Sequence, residues 1–246
     1  SVVDRWAHRE VGSIADQDRE TTVAKSNDKS FYESKYARRE GDAYYTQEWL
    51  TRALLGTMKR NGTPLFEING VIWEPAVGRG DMARILLEHT DDDIFCSDIN
   101  LDDMADNEFF WRERVNFLED VPSSLDLMEI GAIITNPPFH KNHHIRFTRQ
   151  ALEYDPEVVA MLVRQEFGNG KSWRDIFDRP DYAFELRLVD RPRWDWWFRE
   201  KPEHGPRHSF AWHVWDKRTI GTEPRIYRAA ESEYAPANKK DVAPPT

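Results

Sequence analysis

The chain has 246 residues, 39% hydrophobic and 32% charged, with 34 Lys+Arg against 44 Asp+Glu and a net charge of −10. That length suits one domain of ordinary size, and the acidic balance argues against a general nucleic-acid coat protein. A single cysteine, Cys96, excludes an internal disulfide framework. It suits a reducing, cytoplasmic setting, and no apolar run approaches the roughly 20 residues of a membrane span or a signal segment's pattern.

Residues 1–40 are polar and weakly periodic and read as an N-terminal arm, partly helical or poorly ordered. Tyr44-Tyr45-Thr46-Gln47-Glu48-Trp49 leads into a helix predicted over 47–60. The apolar stretch 68–73 predicts the first strand. Glu74-Pro75-Ala76-Val77-Gly78-Arg79-Gly80 follows it, and then a helix over 81–89 with an acidic first turn. Strand, Gly loop, helix lets a ligand lie against backbone near a helix N-terminus. The spacing is neither the three-glycine dinucleotide fingerprint nor a P-loop. Taken alone, the two glycines read equally as a tight turn. A second strand over 94–97 ends at Asp98, with Ile99 next. An acid about 20 residues past the Gly loop is where nucleoside-binding α/β folds hold a ribose diol. A surface carboxylate or a helix cap is the plainer reading of Asp98.

Next come a predicted helix over 101–110, a strand over 114–118, a helix over 122–128 and a strand over 131–135. This last strand delivers Asn136-Pro137-Pro138-Phe139. Asn-Pro-Pro alone is also a common turn. As a site, it presents an amide oxygen and a carbonyl that can both accept from one amino nitrogen. The prolines stiffen the backbone, and Phe139 offers a face for a flat ring. Helices over 143–154 and 171–177 and strands over 158–163, 184–189 and 209–215 complete the pattern. Alternation of this kind predicts a doubly wound α/β fold with a mostly parallel, seven-stranded sheet covered on both faces. Ligands bind at the carboxyl ends of such strands, which puts Glu74, Asp98, Leu118 and Asn136 on one rim. Residues 229–246 read as a disordered tail.

Charge is uneven along the chain. Residues 1–136 carry 15 Lys+Arg against 27 Asp+Glu, whereas residues 137–228 carry 17 against 14 and six histidines. The half after Asn136 is the candidate phosphate-binding face, through His140, Lys141, His143, His144, Arg146 and Lys171. The three clustered histidines are not expected to hold a metal, because no carboxylate lies inside the segment. Trp194, Trp196, Trp197, Trp212 and Trp215 cluster in the last third. Core packing is the favoured reading for most of them, with one or two, Trp194 among them, stacking on bases.

Together these motifs resemble the class I S-adenosylmethionine-dependent methyltransferases, and more narrowly the compact phage-type adenine-N6 DNA methyltransferases of gamma-like motif order. The resemblance covers roughly residues 40–220. It implies a methyltransferase domain over 41–228, with 166–208 as a candidate recognition insertion and an antiparallel C-terminal hairpin. Tyr45 and Thr46 are similar to the family's Tyr-x-Thr-Pro segment, with Gln47 in place of Pro. The family's cofactor contacts would then fall on Tyr45, Thr46, Glu74, Pro75, Ala76, Gly78, Gly80, Asp98, Ile99, Asn116, Phe117, Leu118 and Asn136. Asn116 stands where the family usually has Asp, so its amide oxygen would meet the cofactor's adenine. Asn136, Pro137, Pro138 and Phe139 match the catalytic motif. The implied cofactor is S-adenosyl-L-methionine and the implied partner is DNA, or alternatively RNA. No membrane or obligate protein partner is expected. A protein glutamine methyltransferase and a silent cofactor-binding subunit are the remaining alternatives.

Overall fold

The computed structural model describes residues 45–91, 93–101, 110–124, 127–139, 142–194 and 208–235. Eight strands form one sheet: β1 Val71–Glu74, β2 Ile94–Asp98, β3 Phe110–Arg114, β4 Ile130–Thr135, β5 Val158–Arg164, β6 Tyr182–Leu188, β7 Phe210–Asp216 and β8 Arg225–Ala229. The helices are α1 Glu48–Arg60, α2 Asp81–Leu87, α3 His143–Glu153, α4 Arg174–Phe177 and α5 Glu231–Tyr234. The strand order is β3-β2-β1-β4-β5-β7-β6-β8. β7 runs antiparallel to both of its neighbours, and every other pair is parallel. This is the doubly wound, Rossmann-like arrangement expected from the alternation, with the reversed strand near its C-terminal end.

Alternate residues of the central strands serve opposite faces. Ile72, Ile94, Cys96, Ala132 and Ile134 pack under Leu50, Leu54 and Met58 of α1 and Ile85 and Leu86 of α2. Trp73, Phe95, Ile133, Val159 and Met161 pack on the other face against Ile145, Phe147 and Ala151 of α3. Cys96 lies inside the first layer, and burial pushes its thiol well above the ordinary range. It acts there as a small hydrophobe. Trp212 and Trp215 are core residues as well. Their indole N–H groups donate to Leu50 O at 2.9 Å and Ile176 O at 2.8 Å, which meets the requirement of a buried indole.

Four expectations change. The third strand is Phe110–Arg114, not 114–118. Val115 and Phe117 are apolar because they turn into the core beyond the strand. No α-helix occurs among the described residues of 122–128, where Leu127 is in a 3-10 turn. An eighth strand, Arg225-Ile-Tyr-Arg-Ala, adds to β6 at the sheet edge, where one polar face meets solvent. The packed chain also runs past 228: Ala229 is fully buried and α5 closes on α1, so the domain extends to at least Ala235. Residues 1–40 and most of 101–110 lie outside the described residues.

One polar pair ties the end of β7 to the turn that precedes β1. Fully buried Asp216 accepts from Arg218 Nε at 2.9 Å, Nη2 at 2.8 Å and the backbone N at 3.0 Å. The same guanidinium donates to Thr63 O and Pro64 O. Asp216→Ala leaves that charge with two carbonyls and only the longer ion pair to Glu157, at 3.6 Å. A loss of about 3–5 kcal/mol in urea unfolding is the expected result, and an unchanged midpoint would contradict it.

Candidate functional site

β1 is short. Glu74, its last residue, pairs with Cys96, and Trp73 pairs with Ile133. On that register Asp98 and Asn136 each stand two residues beyond Glu74, which is about 7 Å along the strand direction. A trough therefore opens above β1, between taller β2 and β4, where the strand order reverses. A cavity of about 200 Å³ occupies it. Tyr45, Thr46, Glu74, Pro75, Ala76, Gly78, Asp98, Ile99, Asn116, Phe117, Leu118, Asn136 and Pro138 all line it, with His143 and Arg146 on the far wall. Gly80 sits behind the lining.

The Gly loop is held open by backbone geometry. Gly78 has φ 53° and Gly80 has φ 83°, a region where a side chain would be strained. Gly78 N–H donates to Asp98 Oδ2 at 3.0 Å, and Asn100 N–H donates to Oδ1 at 3.0 Å. These two N–H groups fix the direction of the carboxylate. Tyr45 lies against Gly78, and the Arg79 guanidinium sits 4.2 Å from its ring centroid. Arg79 in turn donates to Asp81 at 3.0 Å, and Arg84 pairs with the other Asp81 oxygen. The segment before α1 is thereby locked onto the loop after β1.

Glu74 is 2% exposed, and its Oε2 has no hydrogen-bond partner. Burial raises its carboxyl well above the ordinary range, and nearby Asp81 and Asp98 push the same way. It is a carboxyl that favours its protonated form, and it faces the cavity. The opposite wall is Val115 to Glu119. Phe117 is wedged against Trp73 and Phe147 at centroid distances of 5.0 and 4.8 Å. The Asn116 amide is partly spent on its own turn: Oδ1 accepts from Leu118 N–H at 3.3 Å and Nδ2 donates to Glu119 at 2.9 Å.

Asn136 is 8% exposed, and its Nδ2 donates to Thr46 Oγ1 at 3.3 Å. With the nitrogen committed to Thr46, the oxygen is the accepting end of the side chain. Pro137 is buried and Pro138 faces the cavity. Phe139 packs on His144 and edge-on to Phe210, at 5.8 and 5.6 Å. α3 starts from Asn142 in the left-handed region, φ 60°, a conformation that Asn tolerates. Its first turns bring His143, Arg146 and Phe147 to the cavity.

The candidate phosphate contacts separate. His144 stacks into the aromatic cluster against Phe167, and burial, with Arg164, holds its pKa down to about 4. It carries no charge near neutral pH and cannot act as a cationic phosphate contact. Lys171 is exposed, away from the cavity, and Trp194 packs edge-on to Phe210 at 4.9 Å. His140 and Lys141 lie outside the described residues. Among the described residues no cluster of ligating side chains could hold a metal, and no helix is long and apolar enough to cross a membrane. Val77, Asp81, Met82, Val115, Glu119 and Phe147 also line the cavity. Of these, Asp81 and Glu119 border recognised motifs and were within reach of sequence reasoning. Phe147 had only its helical spacing from His143.

The sequence matches no protein-family model and no curated protein. Solved structures share the fold. The type IIG restriction endonuclease BpuSI superposes with a TM-score of 0.57 at 14% identity, over 77% of this chain and 27% of that one. A type I restriction-modification methyltransferase subunit from Streptococcus thermophilus gives 0.51 at 12% identity, over 77% and 48%. A candidate RNA methyltransferase from Pyrococcus horikoshii gives 0.50 at 15%, over 70% and 90%. The chain thus has the class I methyltransferase fold, and it spans under half the length of the two restriction-system proteins.

Glu74 makes a testable contribution to stability. Its carboxyl ionises near 4.5 when unfolded but much higher when folded. Its stabilisation is therefore full below about pH 4.5 and lost as pH rises toward the folded pKa. Unfolding of the ligand-free protein at pH 5 and pH 8 should show a steeper loss for wild type than for Glu74→Gln. Parallel pH dependence in the two proteins would rule out a protonated Glu74.

Proposed function

We propose that this chain transfers a methyl group to the exocyclic N6 of adenine in DNA, using S-adenosyl-L-methionine. The observation that carries the reading is Asn136 at the tall end of β4, its amide oriented by Thr46, beside a cavity whose other rim is the Gly78–Asp98 pair.

The cavity's residues fit that cofactor. Asp98, braced by two backbone N–H groups, suits a ribose diol. Val115 to Leu118 would flank an adenine, with the second lone pair of the Asn116 oxygen or the Glu119 carboxylate accepting from its amino group. Glu74 and Thr46 lie toward the amino-acid end. When bound, the cofactor supplies a methyl group already activated on a sulfonium.

The chain's own task is then alignment. The Asn136 oxygen and the Pro137 carbonyl accept hydrogen bonds from the two N–H groups of the target amine and stabilise the positive charge that develops on its nitrogen, which sheds one proton to water once the methyl has been transferred. Phe139, supported by His144 and Phe210, offers a face to the ring. The target must leave its stack to reach this depth. Arg146 and His143 stand at the same cavity for phosphate contact.

RNA adenine is the second reading, because one likeness that spans most of both chains is to a candidate RNA methyltransferase. Labelled-methyl transfer to DNA, RNA and protein side by side separates the substrates.

Asn136→Ala should lower turnover by about 100-fold or more while the cofactor still binds; retained turnover would overturn the assignment. Asp98→Ala should weaken cofactor binding by about 1.5–3 kcal/mol in calorimetry. An unaltered dissociation constant would remove Asp98 from the cofactor site.

A further inference from the structure

A second cavity, of about 270 Å³, lies on the α3–α4 side of the sheet under β6, β7 and β8. We propose that it takes the base of a nucleotide a few positions from the target adenine, with His213 reading that base's edge. This rests on the nucleic-acid reading above and adds a recognition site to it.

Register places the two cavities in line. Thr135, which immediately precedes Asn136, pairs with Met161. Met161 pairs with His213, His213 with Glu185, and Glu185 with Ile226. At about 4.8 Å per strand, His213 stands about 10 Å and Glu185 about 14 Å sideways from the catalytic strand. Three ring contacts bridge the same interval: Phe139–His144 at 5.8 Å, His144–Phe167 at 5.1 Å and Phe167–His213 at 6.0 Å. At 3.4 Å per stacked nucleotide, the separation corresponds to about three or four positions along a strand, or fewer if the strand is extended.

The second cavity has the lining of a ligand site. His213 is 1% exposed, its Nδ1 is hydrogen-bonded to Tyr182 Oη at 2.8 Å, and its Nε2 has no partner. A buried nitrogen in that state is costly unless something enters to meet it. Burial keeps the imidazole neutral, with a pKa down to about 3. Nε2 is therefore a donor or an acceptor according to which way the Tyr182 bond runs, and it is never a fixed charge. Phe177 and Tyr182 supply flat walls around it. Glu185 is gripped by Arg187 at 3.1 and 3.2 Å, and Arg225 stands exposed at the lining. These three side chains sum to one positive charge. A flat ring with a polar edge, attached to an anionic backbone, matches that combination of walls, floor and mouth.

The test walks a single abasic site along an oligonucleotide that the wild-type protein methylates. One position two to four nucleotides from the target should raise KM by about fivefold or more, with kcat unchanged. In His213→Phe and, separately, in Arg225→Ala, that position should lose its effect, while the cofactor dissociation constant stays at the wild-type value. Arg225 is exposed, so its variant remains informative if His213→Phe fails to fold. Equal KM at every abasic position overturns the proposal, as does a position effect that survives in Arg225→Ala and in folded His213→Phe. Failure to methylate any nucleic acid is a different result: it removes the underlying functional reading and this inference with it.

Discussion

The shortness of β1 is the constraint on which the site depends. Its four residues, against five in β2 and six in β4, leave a step in the sheet, and the step is the floor of the cavity. Glu74 lies at its base, while Asp98 and Asn136 stand on its sides at equal height. Pro75 and the left-handed glycines follow at once, so the chain leaves the sheet instead of lengthening the strand. A longer β1 would fill the trough with backbone and separate the two walls from any shared ligand.

Long-range polar contacts then keep the walls in relation. Thr46 reaches Asn136 across 90 residues of sequence. Tyr45, next to it, is held on Gly78 by Arg79. Under the proposed chemistry, the segment ahead of α1 is both a cofactor contact and the part that sets the catalytic amide's orientation. Gln47, where the resemblance would place a proline, fits the same picture, since its side chain accepts the backbone N–H of Arg193 at 2.9 Å. A proline there would hold the loop by stiffness, whereas Gln47 holds it by tying it to the segment after β6.

What could be read from the sequence follows from how each segment is buried. Central strands covered on both faces are continuous apolar runs, so β2, β4 and β5 were located to within a residue or two. Their ends named Asp98 and Asn136. Edge strands escape this logic. β8 is exposed along most of its length, and β3, Phe-Trp-Arg-Glu-Arg, reads as polar while the apolar Val115 to Leu118 beside it is a wall of the cavity. Apolar character marked burial correctly there and secondary structure wrongly. His144 failed for a related reason. A basic stretch in sequence is a basic surface only if its side chains face out, and α3 turns His144 into an aromatic cluster while Arg146 stays exposed.

The uneven charge of the chain gains a meaning from the same geometry. The cavity's carboxyl groups come mostly from the acidic half: Glu74, Asp81, Asp98 and Glu119. Asp81 is answered by two arginines and Asp98 by two backbone N–H groups, while burial shifts Glu74 toward its uncharged form. Such a pocket tolerates a cation without demanding one. That is the balance wanted if a sulfonium enters and a neutral thioether must leave. The residues after Asn136 carry the positive excess and supply both Arg146 at the first cavity and the Arg187–Arg225 pair at the second. A polyanion drawn to that half would meet the Asn136 amide at the boundary between the two charge regimes, where β4 ends.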